Sequence, residues 1–135
     1  MATTTARLVL DSAAGSLLTS ILAIDDTMTL SKLGSATGLS ATTGLARQTF
    51  GAGTETKILE AGDYTDNKAA KLYIKNTDTS GTATVRILIG PSGSSTTLGW
   101  LDPDDWALIP WSAASDINLT CSSATTIVEW MLFYE

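Results

Sequence analysis

The chain has 135 residues, 44% of them hydrophobic and 16% charged, with a formal net charge of −6, no histidine and one cysteine. That length predicts a single domain that buries about two-thirds of its unfolded surface, enough for a core without disulfide staples. The missing histidine excludes Ser-His-Asp and Cys-His catalysis, the lone Cys121 excludes disulfides within the chain, and eight scattered basic residues against fourteen acidic ones argue against direct nucleic-acid binding.

In chain order, Met1–Ala6 is a small polar start expected to gain order only on a partner. Arg7–Leu10 reads as a short strand stopped by Asp11. Leu17–Ile24 ends at Asp25-Asp26, and its spacing fits either a short strand or a short helix. In Thr27–Leu33, Met28 and Leu30 alternate with Thr27, Thr29 and Ser31, a period of two that marks a strand. No run approaches the roughly 20 apolar residues of a membrane helix, and the start lacks signal-peptide features. The expectation is therefore a protein made in the cytoplasm and used without Sec export, or exported by other means, and without membrane contact. Gly34–Gly53 holds five glycines and few large apolar residues, chiefly Leu39, Leu45 and Phe50. It reads as a long loop, either a partner-contacting arm or an exposed excursion.

From residue 54 onward a strand rhythm sets in, which divides the chain into an N-terminal arm and loop-rich segment (1–53) and a β-sandwich core (54–135). Thr56–Leu59 leads to the turn Glu60–Asp63. Leu72 and Ile74 share a face opposite Tyr73 and Lys75. Val85, Ile87 and Ile89 share a face opposite Thr84 and Arg86, and Ile117, Leu119 and Cys121 alternate with Asp116, Asn118 and Thr120. The intervening segments Thr77–Gly81, Pro91–Ser95 and Ser112–Ser115 are turn chemistry. Short alternating strands with such punctuation predict an all-β fold, an antiparallel sandwich or jelly-roll-like domain with one wet face per sheet. Cys121, inside an apolar run, reads as a buried, inert thiol.

The last strand differs. Val128, Trp130, Leu132 and Tyr134 make an unbroken apolar face, and Ile127, Met131 and Phe133 fill most of the other. A strand apolar on both faces is either central in the sandwich or covered by a second subunit. Val128, Trp130, Leu132 and Tyr134 are the candidate oligomer interface.

Candidate chemistry is sparse. Asp102, Asp104 and Asp105 offer the oxygen ligands calcium prefers or a pair of carboxylates for glycoside hydrolysis, but with Pro103 they read more simply as a turn. No metal, cofactor or catalytic set is expected, so the chain is read as not an enzyme. Trp100, Trp106 and Trp111 surround one turn and one strand, and with Trp130 they fit a core and interface role or a sugar-binding platform. Asn118-Leu119-Thr120 matches a glycosylation sequon by pattern alone.

The run Lys71-Leu72-Tyr73-Ile74-Lys75-Asn76-Thr77, then Val85–Gly90, then Leu101-Asp102-Pro103-Asp104-Asp105-Trp106 through Pro110-Trp111 resembles a pattern in small virion proteins of tailed bacteriophages. Asp104 and Asp105 stand where that pattern's turn commonly carries a glycine. The resemblance spans roughly residues 55–134. It implies a capsid decoration (cement) protein on the virion surface, bound to the major capsid protein and self-associating as a homotrimer. The alternative is a fibre or tail module recognising host-surface glycans. Attachment is expected to lie in the N-terminal region, with Arg7 and Arg47 as polar anchors and Leu45 and Phe50 as apolar ones, because arginine pairs bidentately with carboxylates at interfaces.

Overall fold

The computed structural model describes residues 5–11, 23–30, 39, 41–64 and 70–134. The start before Thr5, the ambiguous run Leu17–Leu22 and most of the glycine-rich stretch 34–40 lie outside the described residues. Among the described residues eleven strands follow one another: β1 Thr5–Asp11, β2 Ala23–Thr29, β3 Ala41–Thr42, β4 Ala46–Phe50, β5 Thr56–Leu59, β6 Ala70–Asn76, β7 Val85–Ile89, β8 Thr96–Leu101, β9 Trp106–Trp111, β10 Ile117–Cys121 and β11 Thr126–Tyr134.

Strands β4 to β11 form two antiparallel sheets packed face to face. One runs β4-β11-β6-β9 and the other β5-β10-β7-β8, with β3 extending the β4 edge along β11. From β4 to β11 every connection except β7 to β8 passes from one sheet to the other, which is the jelly-roll winding of a double-sheet sandwich. The all-β sandwich read from the alternating runs is thus the observed fold.

Alternation places the core. From the first sheet Phe50, Leu72, Ile74, Val128, Trp130 and Leu132 point inward, and from the second Leu59, Val85, Ile87, Leu101, Ile117 and Leu119 meet them. Phe50 packs edge-on against Trp130 at 5.9 Å between ring centroids. Tyr64 closes one end of the sandwich, edge-on to Trp111 at 5.4 Å and to Tyr134 at 5.3 Å. Burial raises the Tyr64 phenol above its ordinary pKa. Cys121 is buried among these residues, and burial pushes its thiol up as well.

The buried polar residue Asn76 joins the sheets. Its Nδ2 donates to the Ala83 carbonyl (2.8 Å) and the Leu101 carbonyl (3.2 Å), and its Oδ1 accepts from the Asp78 amide at 3.1 Å. Asp78 then organises the turn into β7, accepting the amides of Ala83 (2.8 Å), Ser80 (3.0 Å) and Thr82 (3.3 Å).

The division at residue 53 needs correction. Part of the segment read as loop forms the sandwich edge: β4 pairs with β11 from Thr126↔Phe50 to Trp130↔Ala46, and β3 pairs with it at Phe133↔Thr42 and Tyr134↔Ala41. Thr43 spans the gap between them, its amide donating to the Leu132 carbonyl and its hydroxyl accepting from the Leu132 amide, both at 3.1 Å. Gly44, with φ +76°, turns the chain there. The second apolar face of β11 looks away from the facing sheet: Ile127, Met131 and Phe133 are half-buried, and Met131 and Phe133 lie on the side toward β1 and β2.

Candidate interaction surfaces

The expected oligomer interface is the chain's own core. Val128, Trp130 and Leu132 are 0, 9 and 0% exposed, and Tyr134 packs against the same cluster. These side chains face the second sheet, so none of the first three is available to another subunit. Phe50, a capsid-contact candidate, is corrected in the same way, being 3% exposed beneath Trp130. Leu45 and Arg47 do stand on the surface, Leu45 at the break between β3 and β4 and Arg47 on the outward side of β4, 3.4 Å from Glu129. Arg7 is exposed, but its guanidinium already forms a fork on Asp25, with Nε donating to Oδ1 at 2.7 Å and a second nitrogen donating to Oδ2. That pairing holds the Asp25 carboxyl below its ordinary pKa.

The three carboxylates of the Asp102–Asp105 turn do not converge. Asp105 Oδ2 accepts from the Asp102 amide at 3.0 Å, Asp104 pairs with Lys75 Nζ at 2.7 Å, and the Asp105 amide closes the turn onto the Asp102 carbonyl. The calcium candidate is therefore a turn, and no group of three metal-ligating side chains occurs among the described residues. Asp104 has φ +65°, the left-handed conformation that glycine adopts freely and aspartate tolerates. The sequon is also structural: Asn118 is fully buried and donates to the Gly90 carbonyl at 2.7 Å.

The tryptophans divide evenly. Trp111 and Trp130 are core, whereas Trp100 and Trp106 are 60 and 54% exposed. Trp100 lies on the outer face of the second sheet with the Arg86 guanidinium 5.5 Å from its ring centroid. Across β10 from Arg86 is Thr120. Arg86 Nε and Thr120 Oγ1 have no hydrogen-bond partner among the described residues.

The feature that sequence reasoning missed is a hairpin. β1 and β2 pair over their whole length, from Thr5↔Thr29 to Asp11↔Ala23, as a separate two-stranded sheet. Asp25-Asp26, which read as a break, lies inside β2. One hairpin face carries Ala6, Leu8 and Leu10 beside Met28, Asp26 and Ile24. At its base, this face and the outer face of the first sheet enclose an open groove of about 640 Å³. Leu8, Met28 and Leu30 form one wall, and Tyr73, Leu108 and Met131 part of the other.

No protein-family model matches the chain, and no curated protein matches it. Among solved structures, the chain is similar to a protein from work on Bacillus endospore appendages, described as a novel family of disulfide-linked pili. The similarity has a TM-score of 0.42 at 10% identity and covers 74% of this chain and 96% of that one.

Proposed function

We propose that this chain is a structural protein of a tailed-phage particle, a decoration (cement) protein that sits on the capsid surface, contacts the major capsid protein and self-associates, with a homotrimer as the expected assembly. The observation that carries this reading is the 71–111 pattern noted above, which falls on β6 to β9 of a jelly roll, a winding that viral capsid domains use among others. The fold alone does not name the job. On this reading the shell contact belongs to the exposed edge at Leu45 and Arg47, with Phe50 removed from it and Arg7 committed to Asp25. Co-sedimentation with assembled particles of the phage that encodes it, and not with free capsid subunits, tests the proposal. Equal recovery with and without particles sinks it.

A second reading, a glycan-binding module of a fibre or tail, is favoured by exposed Trp100 with Arg86 stacked beside it and Thr120 in the next strand. Aromatic faces take the apolar side of a sugar ring, while neighbouring donors take its hydroxyls. A glycan-array signal abolished by Trp100→Ala supports this reading, and a blank array removes it.

A further inference from the structure

We infer, building on the glycan reading of this face, that the sugar held at Trp100, Arg86 and Thr120 is an acidic one, with its carboxylate on the Arg86 guanidinium. Buried polar side-chain atoms are almost always hydrogen-bonded, and each exception asks for a cause. Three exceptions occur among the described residues: Arg86 Nε, Thr120 Oγ1 and Asn118 Oδ1. All three belong to one patch. Ile117, Leu119 and Cys121 point into the core, so Asn118 and Thr120, which alternate with them on β10, point outward. Thr120 is the register partner of Arg86 on β7, and Trp100 on β8 is the partner of Arg86 on its other side.

The charges single out the same place. Arg7, Arg47, Lys57 and Lys75 each pair with a carboxylate. Arg86 pairs with none among the described residues, although acidic residues outnumber basic ones by fourteen to eight. A guanidinium presents parallel donors that match a planar carboxylate, and the Thr120 hydroxyl can donate to the same group. Asn118 Oδ1 only accepts, so it takes no part in holding the carboxylate. Trp100 governs entry. Its ring centroid lies 5.5 Å from the guanidinium, yet the indole is 60% exposed and sits on the edge strand β8. Exposed side chains change rotamer rapidly, and an exposed cation–π contact is weak beside a charge-assisted hydrogen bond. Turning the indole outward opens the donors to a carboxylate and leaves the aromatic face for the apolar side of the sugar ring. With a net charge of −6, the molecule as a whole repels anions, so a preference for an acidic sugar has to come from a local cation.

Matched pairs on a glycan array test it. Oligosaccharides ending in galacturonate, glucuronate or sialic acid are presented beside their methyl esters, which keep the sugar and remove the charge. The full chain should bind at least one acid at least about tenfold more tightly than its ester, the gain expected of one charge-assisted contact, and Trp100→Ala should abolish both signals. Esters or neutral sugars bound as tightly as the acids, and lost with Trp100, leave the glycan reading standing and overturn the acidic preference. No sugar bound at all overturns both. Arg86→Gln should bring acid binding down to the level of the ester and leave the ester unchanged. A preference for the acid that survives this change overturns the role of Arg86. Should Arg86→Gln not fold, Thr120→Val removes an unpartnered hydroxyl at nearly constant shape, and should weaken acid binding without lowering the melting temperature. Acid binding unchanged in that variant overturns the carboxylate contact shared by Arg86 and Thr120.

Discussion

The sandwich and the hairpin are built from similar short apolar strands, yet they end in opposite states. In the sandwich each alternating strand finds a facing sheet, and Leu72, Ile74, Val85, Ile117, Leu119, Val128 and Leu132 reach 2% exposure or less. In the hairpin the same alternation leaves every large apolar side chain more than two-fifths exposed. Local pattern sets which residues share a face, but burial depends on whether a second layer is present. One region buries its apolar residues against a facing sheet, and the other keeps them exposed.

The largest expected effect breaks the comparison on the sandwich side. Trp130→Ala empties a core site beside Phe50 and should cost about 3–5 kcal/mol of unfolding free energy. Val9→Ala, on the hairpin face away from the groove, should stay within about 0.5 kcal/mol, as exposed sites do. Urea melts of both variants check this. Equal losses would mean that the hairpin belongs to the same cooperative unit as the core. A second test concerns the seam between the sheets. Asn76→Leu leaves the Ala83 and Leu101 carbonyls and the Asp78 amide without their partner, and should cost about 1–3 kcal/mol. A neutral result would show that those groups are satisfied in another way.

A smaller effect has the opposite sign. Thr125, in the turn between β10 and β11, has φ +68°, a conformation that is an outlier for a β-branched residue. Left-handed backbone costs a non-glycine residue about 1–2 kcal/mol, and glycine returns about 0.5–1 kcal/mol of that as extra freedom in the unfolded chain. Thr125→Gly should therefore stabilise by about 0.5–1 kcal/mol. A lower melting temperature than wild type contradicts it.

Much of the sandwich was legible. The runs at Trp106–Trp111 and Ile117–Cys121 are β9 and β10 as read, and Lys71–Asn76 and Ile127–Tyr134 each miss one residue of β6 and β11. Strand β8 was not legible because Gly99 interrupts it, and the pairing with β7 slips at Ile87/Leu88. Strands β3 and β4 were hidden by composition: glycine and threonine read as loop, while the pairing that makes them strands comes from β11, some eighty residues away. The surfaces were harder still. An apolar face on β11 does not reveal whether the cover is a sheet or a subunit, and the facing sheet supplied it. The hairpin was obscured by Asp25-Asp26, whose charges looked like a boundary, although Asp25 is held by Arg7 across the pair.

The smallest effect is a local response to acid. Asp78 is half-buried, and the amides of Ala83 and Ser80, with the Ser80 hydroxyl and the Thr82 amide, hold its carboxyl down to about 2 from an ordinary 3.8. A carboxyl whose folded pKa lies below its unfolded value stabilises the fold fully above the unfolded value and loses that contribution as pH falls through the folded one. Its contribution should therefore be constant from neutral pH down to near 4 and fade between there and about 2. Asp25 and Asp116 also sit below their ordinary values, the first because of Arg7 and the second because of Lys57 and then the Ala61 amide, so the whole chain loses stability in acid for several reasons. The difference between wild type and Asp78→Asn isolates the one group. That substitution keeps the side-chain shape and one acceptor oxygen while removing the charge. The gap in melting temperature between the two proteins should be flat above the ordinary value and should narrow below it. A gap that stays constant down to the lowest pH would mean that the turn depends on the shape of residue 78 and not on its ionised carboxyl.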